Sequence, residues 1–238
     1  MTYCYPYPLP AVAVDVAVFS VDPDDLSLVI LVIRRGRPPA AGAHALPGGF
    51  VEVGEGYRPG APQGEDLPDA ASRELREETG LDVEACGGAS FQVGAFGTPG
   101  RDPRGRVVSA LYAALVPTTA RRGVRASDDA ADAAFVPVAR AASDGFDWAF
   151  DHRELLDSAR CALARQVLLD ARILRPWIGS GLREHLAVLY PQLVRPLGGA
   201  PSFERWLARQ VEDGHVQRTA TGHRLAPGRP IGGVVPNP

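Results

Sequence analysis

The chain has 238 residues, 45% apolar and 22% charged, an ordinary balance for a folded protein and enough length for one domain of usual size plus a smaller one. All 25 basic residues are arginine, which excludes P-loop and Schiff-base lysine chemistry. The net charge of −3 is unevenly spread: residues 1–150 hold 13 Arg against 20 acidic residues, and residues 151–238 hold 12 against 8, so two parts with different partners are expected.

Residues 1–10 lack a basic segment followed by an apolar core, so no secretory leader is expected. Residues 11–19 (AVAVDVAVF) and 28–33 (LVILVI) are short β-branched runs separated by a turn-rich Asp-Pro-Asp-Asp segment, the pattern of a hairpin. Residues 46–51 (LPGGFV) read as a glycine loop entering a short strand, and residues 56–64 as a Gly/Pro loop. A helix follows from a cap at Asp66 to about Thr79, with Pro68 in its first turn and Gly80 ending it. Residues 91–96, 107–116 and 134–138 read as strands, and a turn-rich, arginine-rich loop lies between the first two. From residue 151 the character becomes helical: 151–174, then 182–190 with Ser180 as a candidate cap, then 203–211. A small hairpin over 216–225 and a Pro/Gly tail close the chain. No stretch approaches the ~20 apolar residues of a membrane span. Cys4, Cys86 and Cys161 are odd in number and far apart, which argues against a disulfide framework or zinc site and for the cytoplasm.

Glu74, Glu77 and Glu78 stand at i, i+3 and i+4 of the expected helix, on one face. Like charges so arranged repel unless a cation joins them, and hard carboxylate oxygens suit Mg²⁺ or Mn²⁺ rather than zinc. Taken alone, with Arg73 and Arg76 nearby, the cluster also reads as a compensated surface helix.

The surrounding residues resemble the Nudix box: glycine, five residues, Glu, seven residues, Arg-Glu, an aliphatic, any residue, Glu-Glu, any residue, Gly and an aliphatic. Gly49 is followed at that spacing by Glu55, and residues 73–81 (RELREETGL) match every fixed position. Seventeen residues separate Glu55 from Arg73 where the family has seven. Glu65 has the seven-residue spacing and, like Glu55, follows a glycine. A ten-residue insertion therefore sits in the box; Glu65 suits the helix register and Glu55 the strand register. The resemblance implies an α+β fold, a Nudix α/β/α sandwich, with Gly48 and Gly49 in the metal-binding turn. It implies Glu74, Glu77 and Glu78 as ligands of Mg²⁺ or Mn²⁺ and Arg73 as their ion-pair partner. Asp128, Asp129 or a box glutamate would be the general base.

The whole stretch is similar to the ADP-ribose-binding branch of the family. That likeness implies a nucleoside-diphosphate-linked small molecule as substrate, contacted by Arg34 and Arg35 at the end of the second strand and by the 101–106 loop (RDPRGR), with Arg101, Asp102, Arg104 and Arg106. It also implies a homodimer through the N-terminal strands. The helices and hairpin after residue 151 extend the resemblance to Nudix-related transcriptional regulators of NAD metabolism. The chain would then divide into a Nudix unit (1–150), a connecting helix (151–174) and a winged-helix-like unit (175–238). The expected function is Mg-dependent cleavage of an ADP-ribose-like, NAD-like or modified dinucleotide to AMP and a second phosphomonoester. The alternative is an ADP-ribose-sensing DNA-binding regulator. Its helix over 198–210 carries only Arg205 and Arg209, so DNA is a weakly supported partner. His152 reads more readily as a core or dimer histidine than as a catalytic one.

Overall fold

The computed structural model describes residues 6–54, 63–126, 130–178, 182–220 and 222–228. In chain order the elements are β1 (Ala11–Val21), β2 (Leu28–Arg35), β3 (His44–Ala45), β4 (Gly48–Phe50), α1 (Leu67–Thr79), β5 (Ala89–Phe96), β6 (Val107–Leu115), β7 (Ala130–Pro137), α2 (Val138–Ala141), α3 (His152–Leu169), α4 (Leu182–Val194), α5 (Phe203–Glu212), β8 (Val216–Thr219) and β9 (Gly222–Leu225).

One mixed sheet contains the first seven strands. β1 is central and runs parallel to β6 from Ala11 opposite Val107 to Phe19 opposite Leu115; β5 pairs antiparallel beyond β6. Alternation along β1 divides the core. Val14, Val16 and Val18 pack with Ala70, Ala71 and Leu75 of α1, while Ala17, Phe19 and Val21 pack with Leu155, Leu156 and Leu163 of α3. Helices therefore cover both faces, which is why these strands read as unbroken apolar runs.

β1 and β2 pair only from Phe19 opposite Ile30 to Val21 opposite Leu28. Toward the other end they part. β4 lies against β1, with Asp15 opposite Gly48, and β3 lies against β2, with Ile33 opposite Ala45. This opening in the sheet positions the candidate site.

Helix α1 follows its local signals: Pro68 in the first turn and a left-handed Gly80, whose N–H closes on the Arg76 carbonyl. The long helix differs from expectation. It stops at Leu169 instead of continuing to 174, because the buried Asp170 carboxylate turns to the Arg172 N–H and guanidinium, and a 3₁₀ turn takes over at Ala171–Leu174.

The C-terminal helices and the β8–β9 ribbon follow in the order of a winged helix. They share an apolar core with the sheet. Polar side chains reinforce the packing: the Trp177 indole donates to the Val116 carbonyl, Gln192 of α4 accepts from the Leu28 N–H and donates to the Leu26 carbonyl, and the Trp206 indole of α5 donates to the Val167 carbonyl of α3. Ser180 and the tail from residue 229 lie outside the described residues. No helix among those described is long and apolar enough to cross a membrane.

Candidate functional site

The opening between β1 and β2 holds a cleft of about 430 Å³. Its floor requires glycine at Gly48, where a Cβ would overlap the Val14 carbonyl; at Gly49 a Cβ would push the Glu74 carboxylate aside. The close approach lets the Gly48 N–H donate to Glu78 Oε2 at 2.9 Å.

Arg73 gathers the other carboxylates. It donates to both oxygens of Glu65 (3.0 and 2.6 Å), to Glu74 (2.9 Å), to Glu77 (3.0 Å) and to the Phe50 carbonyl (3.1 Å). Of the two candidates for the first box glutamate, the structure sets Glu65 against Arg73; Glu55 lies outside the described residues. The ends of the insertion are closed: Val53 bridges Gly64, and Glu65 and Glu52 exchange hydrogen bonds.

These surroundings separate the acids. Hydrogen bonding to Arg73 holds the Glu65 carboxyl below the usual carboxylate range. Burial raises Glu74 despite its bond to Arg73. Glu78 is pushed up to about 8, first by burial and then by the Glu74 and Asp15 charges, against the stabilising Gly48 N–H.

Arginine and aromatic groups line another part of the cleft. Arg35, Arg101 and Arg104 reach it, together with Phe50 and Phe150. Arg34 and Arg106 are not among its lining residues: Arg34 donates to the Gly42 carbonyl and Arg106 to the Gly97 carbonyl. Arg101 is almost wholly buried, paired through two 2.8 Å bonds to Asp151 and lying 3.6 Å from Asp15. Arg104 is more open and forks onto Asp102, whose carboxyl that pairing holds low.

Asp15, which also accepts from the Ser109 hydroxyl, is the one acid within an apolar strand, a pattern that signals buried pairing. Nothing in the local pattern pointed to Phe50 or Phe150. His152, at the cleft wall, accepts the Leu46 N–H through Nδ1 at 2.9 Å and anchors the backbone there; burial lowers its pKa.

The α1 donors are all carboxylate oxygens, so their chemistry fits a hard divalent ion, and the crowding on Glu78 is of the kind such an ion relieves. As placed, no three His, Cys, Asp or Glu side chains among the described residues converge to hold one. Glu74 and Glu77 are instead turned to Arg73. Asp128 and Asp129 lie outside the described residues.

The model of the NUDIX domain family matches residues 10–158, and the chain belongs to that family. It is 37% identical over 146 residues to the ADPR responsive transcriptional repressor NtrR of Acinetobacter baylyi, a match covering 61% of this chain and 51% of that one. It is 34% identical over 127 residues to an ADP-ribose pyrophosphatase of Methanocaldococcus jannaschii, covering 53% of this chain and 63% of that one. These matches span less than two thirds of either relative. The crystal structure of Shewanella oneidensis NrtR complexed with a 27mer DNA shares the fold over 92% of this chain and 90% of that one, with a TM-score of 0.66 and 24% identity.

Proposed function

We propose that this protein hydrolyses the pyrophosphate of an ADP-ribose-like or NAD-like dinucleotide, releasing AMP and a second phosphomonoester, with Mg²⁺ or Mn²⁺ as cofactor. The observation that carries this reading is the composition of one cleft. Glu74, Glu77 and Glu78 form a carboxyl cluster on α1, and Arg35 and Arg104 line the same cavity. A pyrophosphate diester needs both cations for its oxygens and a carboxylate set that can hold more positive charge beside it.

Glu74, Glu77 and Glu78 would hold the ion. Bound there, a divalent ion supplies charge neutralisation of the phosphates and a lowered pKa for an attacking water. In the reaction water adds to one phosphorus, the bridging P–O bond breaks, and the leaving phosphate takes the electron pair. The residues of the chain prepare this. Arg73 holds Glu74 and Glu77 in orientation, the Gly48 N–H fixes Glu78, and Arg35 and Arg104 orient the phosphates. Glu78 must lose its proton to serve as a ligand. The two relatives named for ADPR and ADP-ribose support the choice of substrate.

A second reading is favoured by the α4–α5–β8–β9 arrangement and by the relative named as a repressor: ADP-ribose would act as a signal and the C-terminal part would bind DNA. The basic side chains there are few. Arg205 and Arg209 share α5 with Glu204 and Glu212, and Arg209 lies 3.5 Å from Asp213. The exposed Tyr7, Leu9 and Val12 around the start of β1 support a homodimer through the N-terminal strands.

The test is chromatography of nucleotides after incubation with Mg²⁺ and ADP-ribose, NAD, NADH or diadenosine polyphosphates. AMP release from ADP-ribose or NAD, abolished by Glu78→Gln, is the expected result. ADP-ribose binding with no AMP released overturns the hydrolase reading and leaves the regulator.

A further inference from the structure

A second cavity lies behind α1, on the side of the helix away from the carboxylates, and small side chains create it. Strand pairing sets Ala114 of β6 between Val18 of β1 and Ser90 of β5, and sets Tyr112 between Val16 and Gln92. Alternation sends these side chains to the face of the sheet that α1 covers. The helix presents Ala71 and Ser72 to the same space. Four side chains this small do not fill the gap between helix and sheet, and a cavity of about 60 Å³ remains, walled by Val16, Leu75, Leu81 and Val83. It shares no lining residue with the cleft. The exposed Pro68 and Ser72 stand on its rim, so it is reached from solvent.

Its polar groups lack partners. Tyr112 is 4% exposed, and its hydroxyl has no hydrogen-bond partner among the described residues. Burial and then the Asp66 charge push the phenol pKa up, so the group stays an O–H donor at neutral pH. A buried donor left unpaired is costly, which calls for an acceptor inside the cavity. The half-buried Ser90 hydroxyl also has no partner among the described residues. Asp82, the charged residue lining the cavity, has its salt-bridge partner Arg76 3.9 Å away, so it offers a carboxylate oxygen and repels anions. Waters occupy ~30 Å³ each, so the space suits about two of them or one group of about four heavy atoms. Apolar walls favour the group that brings carbon with its polar atoms.

We propose that this cavity is a second ligand site, for a small uncharged carboxamide. Its carbonyl accepts from the Tyr112 hydroxyl, its N–H groups donate toward Ser90 and Asp82, and its alkyl part lies against Val16, Leu75 and Val83. Because α1 stands between the cavity and the carboxylate cluster, the occupant is a separate molecule from any ligand of the cleft.

The test titrates the full chain, with carbon-13 methyl-labelled valine and leucine, with acetamide and with acetate, an anion of the same size. Acetamide should shift the Val16, Leu75 and Val83 methyl signals saturably, with a Kd in the millimolar range, as expected for so few heavy atoms. Acetate should not. Tyr112→Phe removes one oxygen and should weaken acetamide at least about threefold, the worth of a hydrogen bond. Ser90→Val fills the cavity and should abolish the saturable shifts. Shifts that never saturate would show that the cavity holds water only and overturn the site. Equal binding of acetate would overturn the uncharged class, and acetamide binding unchanged in both variants would place it elsewhere on the protein. Circular dichroism checks folding, and either variant alone decides the outcome should the other misfold.

Discussion

Glu78 combines burial with crowding by other acids, and the consequence is a pH-dependent stability. Its carboxyl is raised from 4.5 to about 8 in the folded protein. The folded state therefore retains a proton that the unfolded chain releases, so this group's stabilisation is complete below about pH 4.5 and is lost as pH rises through 8. In a chelator-containing buffer the wild-type Tm should fall between pH 5 and 8, and Glu78→Gln should flatten that fall. Because an ion needs the ionised carboxylate, Mg²⁺ should raise the wild-type Tm more at pH 8 than at pH 5.5 and have little effect on the variant. Parallel melting curves for the two proteins would remove Glu78 from both roles. The two cleft arginines of the 101–106 loop make a contrasting pair. Arg101→Met leaves the buried Asp15 and the half-buried Asp151 without their cation and should cost about 3 kcal/mol in denaturant unfolding. Arg104→Met, at a half-open position, should cost under ~1 kcal/mol in stability while raising the KM for ADP-ribose. Comparable destabilisation by both substitutions would show that the loop is a structural unit only.

At the scale of elements, the box insertion gives the sharpest test. Val53 bridges Gly64, and Glu65 returns to both Glu52 and Arg73. Joining Val53 directly to Gly64 would place five residues between Gly49 and Glu65. A variant lacking residues 54–63 should therefore fold, with a Tm within a few degrees of wild type, since the length of a segment whose ends already meet changes the closure entropy little. Failure of that variant to fold would show that the inserted segment supports the box. The carboxylate helix was readable because its signals are local: a proline in the first turn, a glycine stop and acids at helical spacing. The hairpin and the C-terminal helices were readable for the same reason. The end of α3 was not, because Asp170 stops the helix through burial and pairing with Arg172, and neither shows in an apolar stripe. The cleft was half readable. Glu74, Glu77 and Glu78 come from one helix and Arg101 and Arg104 from a loop marked by its arginines, whereas Asp15, Phe50 and Phe150 join them only because β1 and β2 part and the start of α3 is tied to the 101–106 loop.

At the scale of the molecule, the charge asymmetry suggests two parts, but the packing joins them. The apolar cluster that begins on one face of the sheet continues through α3 into Leu186, Leu189 and Leu193 of α4 and Trp206 and Leu207 of α5. Trp206 is 2% exposed; it donates to the Val167 carbonyl at the end of α3 and stacks on Tyr190 of α4 with ring centroids 4.8 Å apart. A core shared in this way should unfold as a unit, so thermal melts followed by far-ultraviolet circular dichroism and by tryptophan fluorescence should coincide. Trp206→Ala removes a large side chain at the junction of three helices and should cost about 3–5 kcal/mol, lowering both transitions together. Adding Mg²⁺ and ADP-ribose, the ligands proposed for the cleft, should raise both transitions by the same amount, because stabilisation at one site spreads through any region that unfolds cooperatively with it. A fluorescence transition that stays fixed while the circular dichroism transition moves would show that the C-terminal helices melt independently, and that the continuous core is too weak to couple them to the cleft.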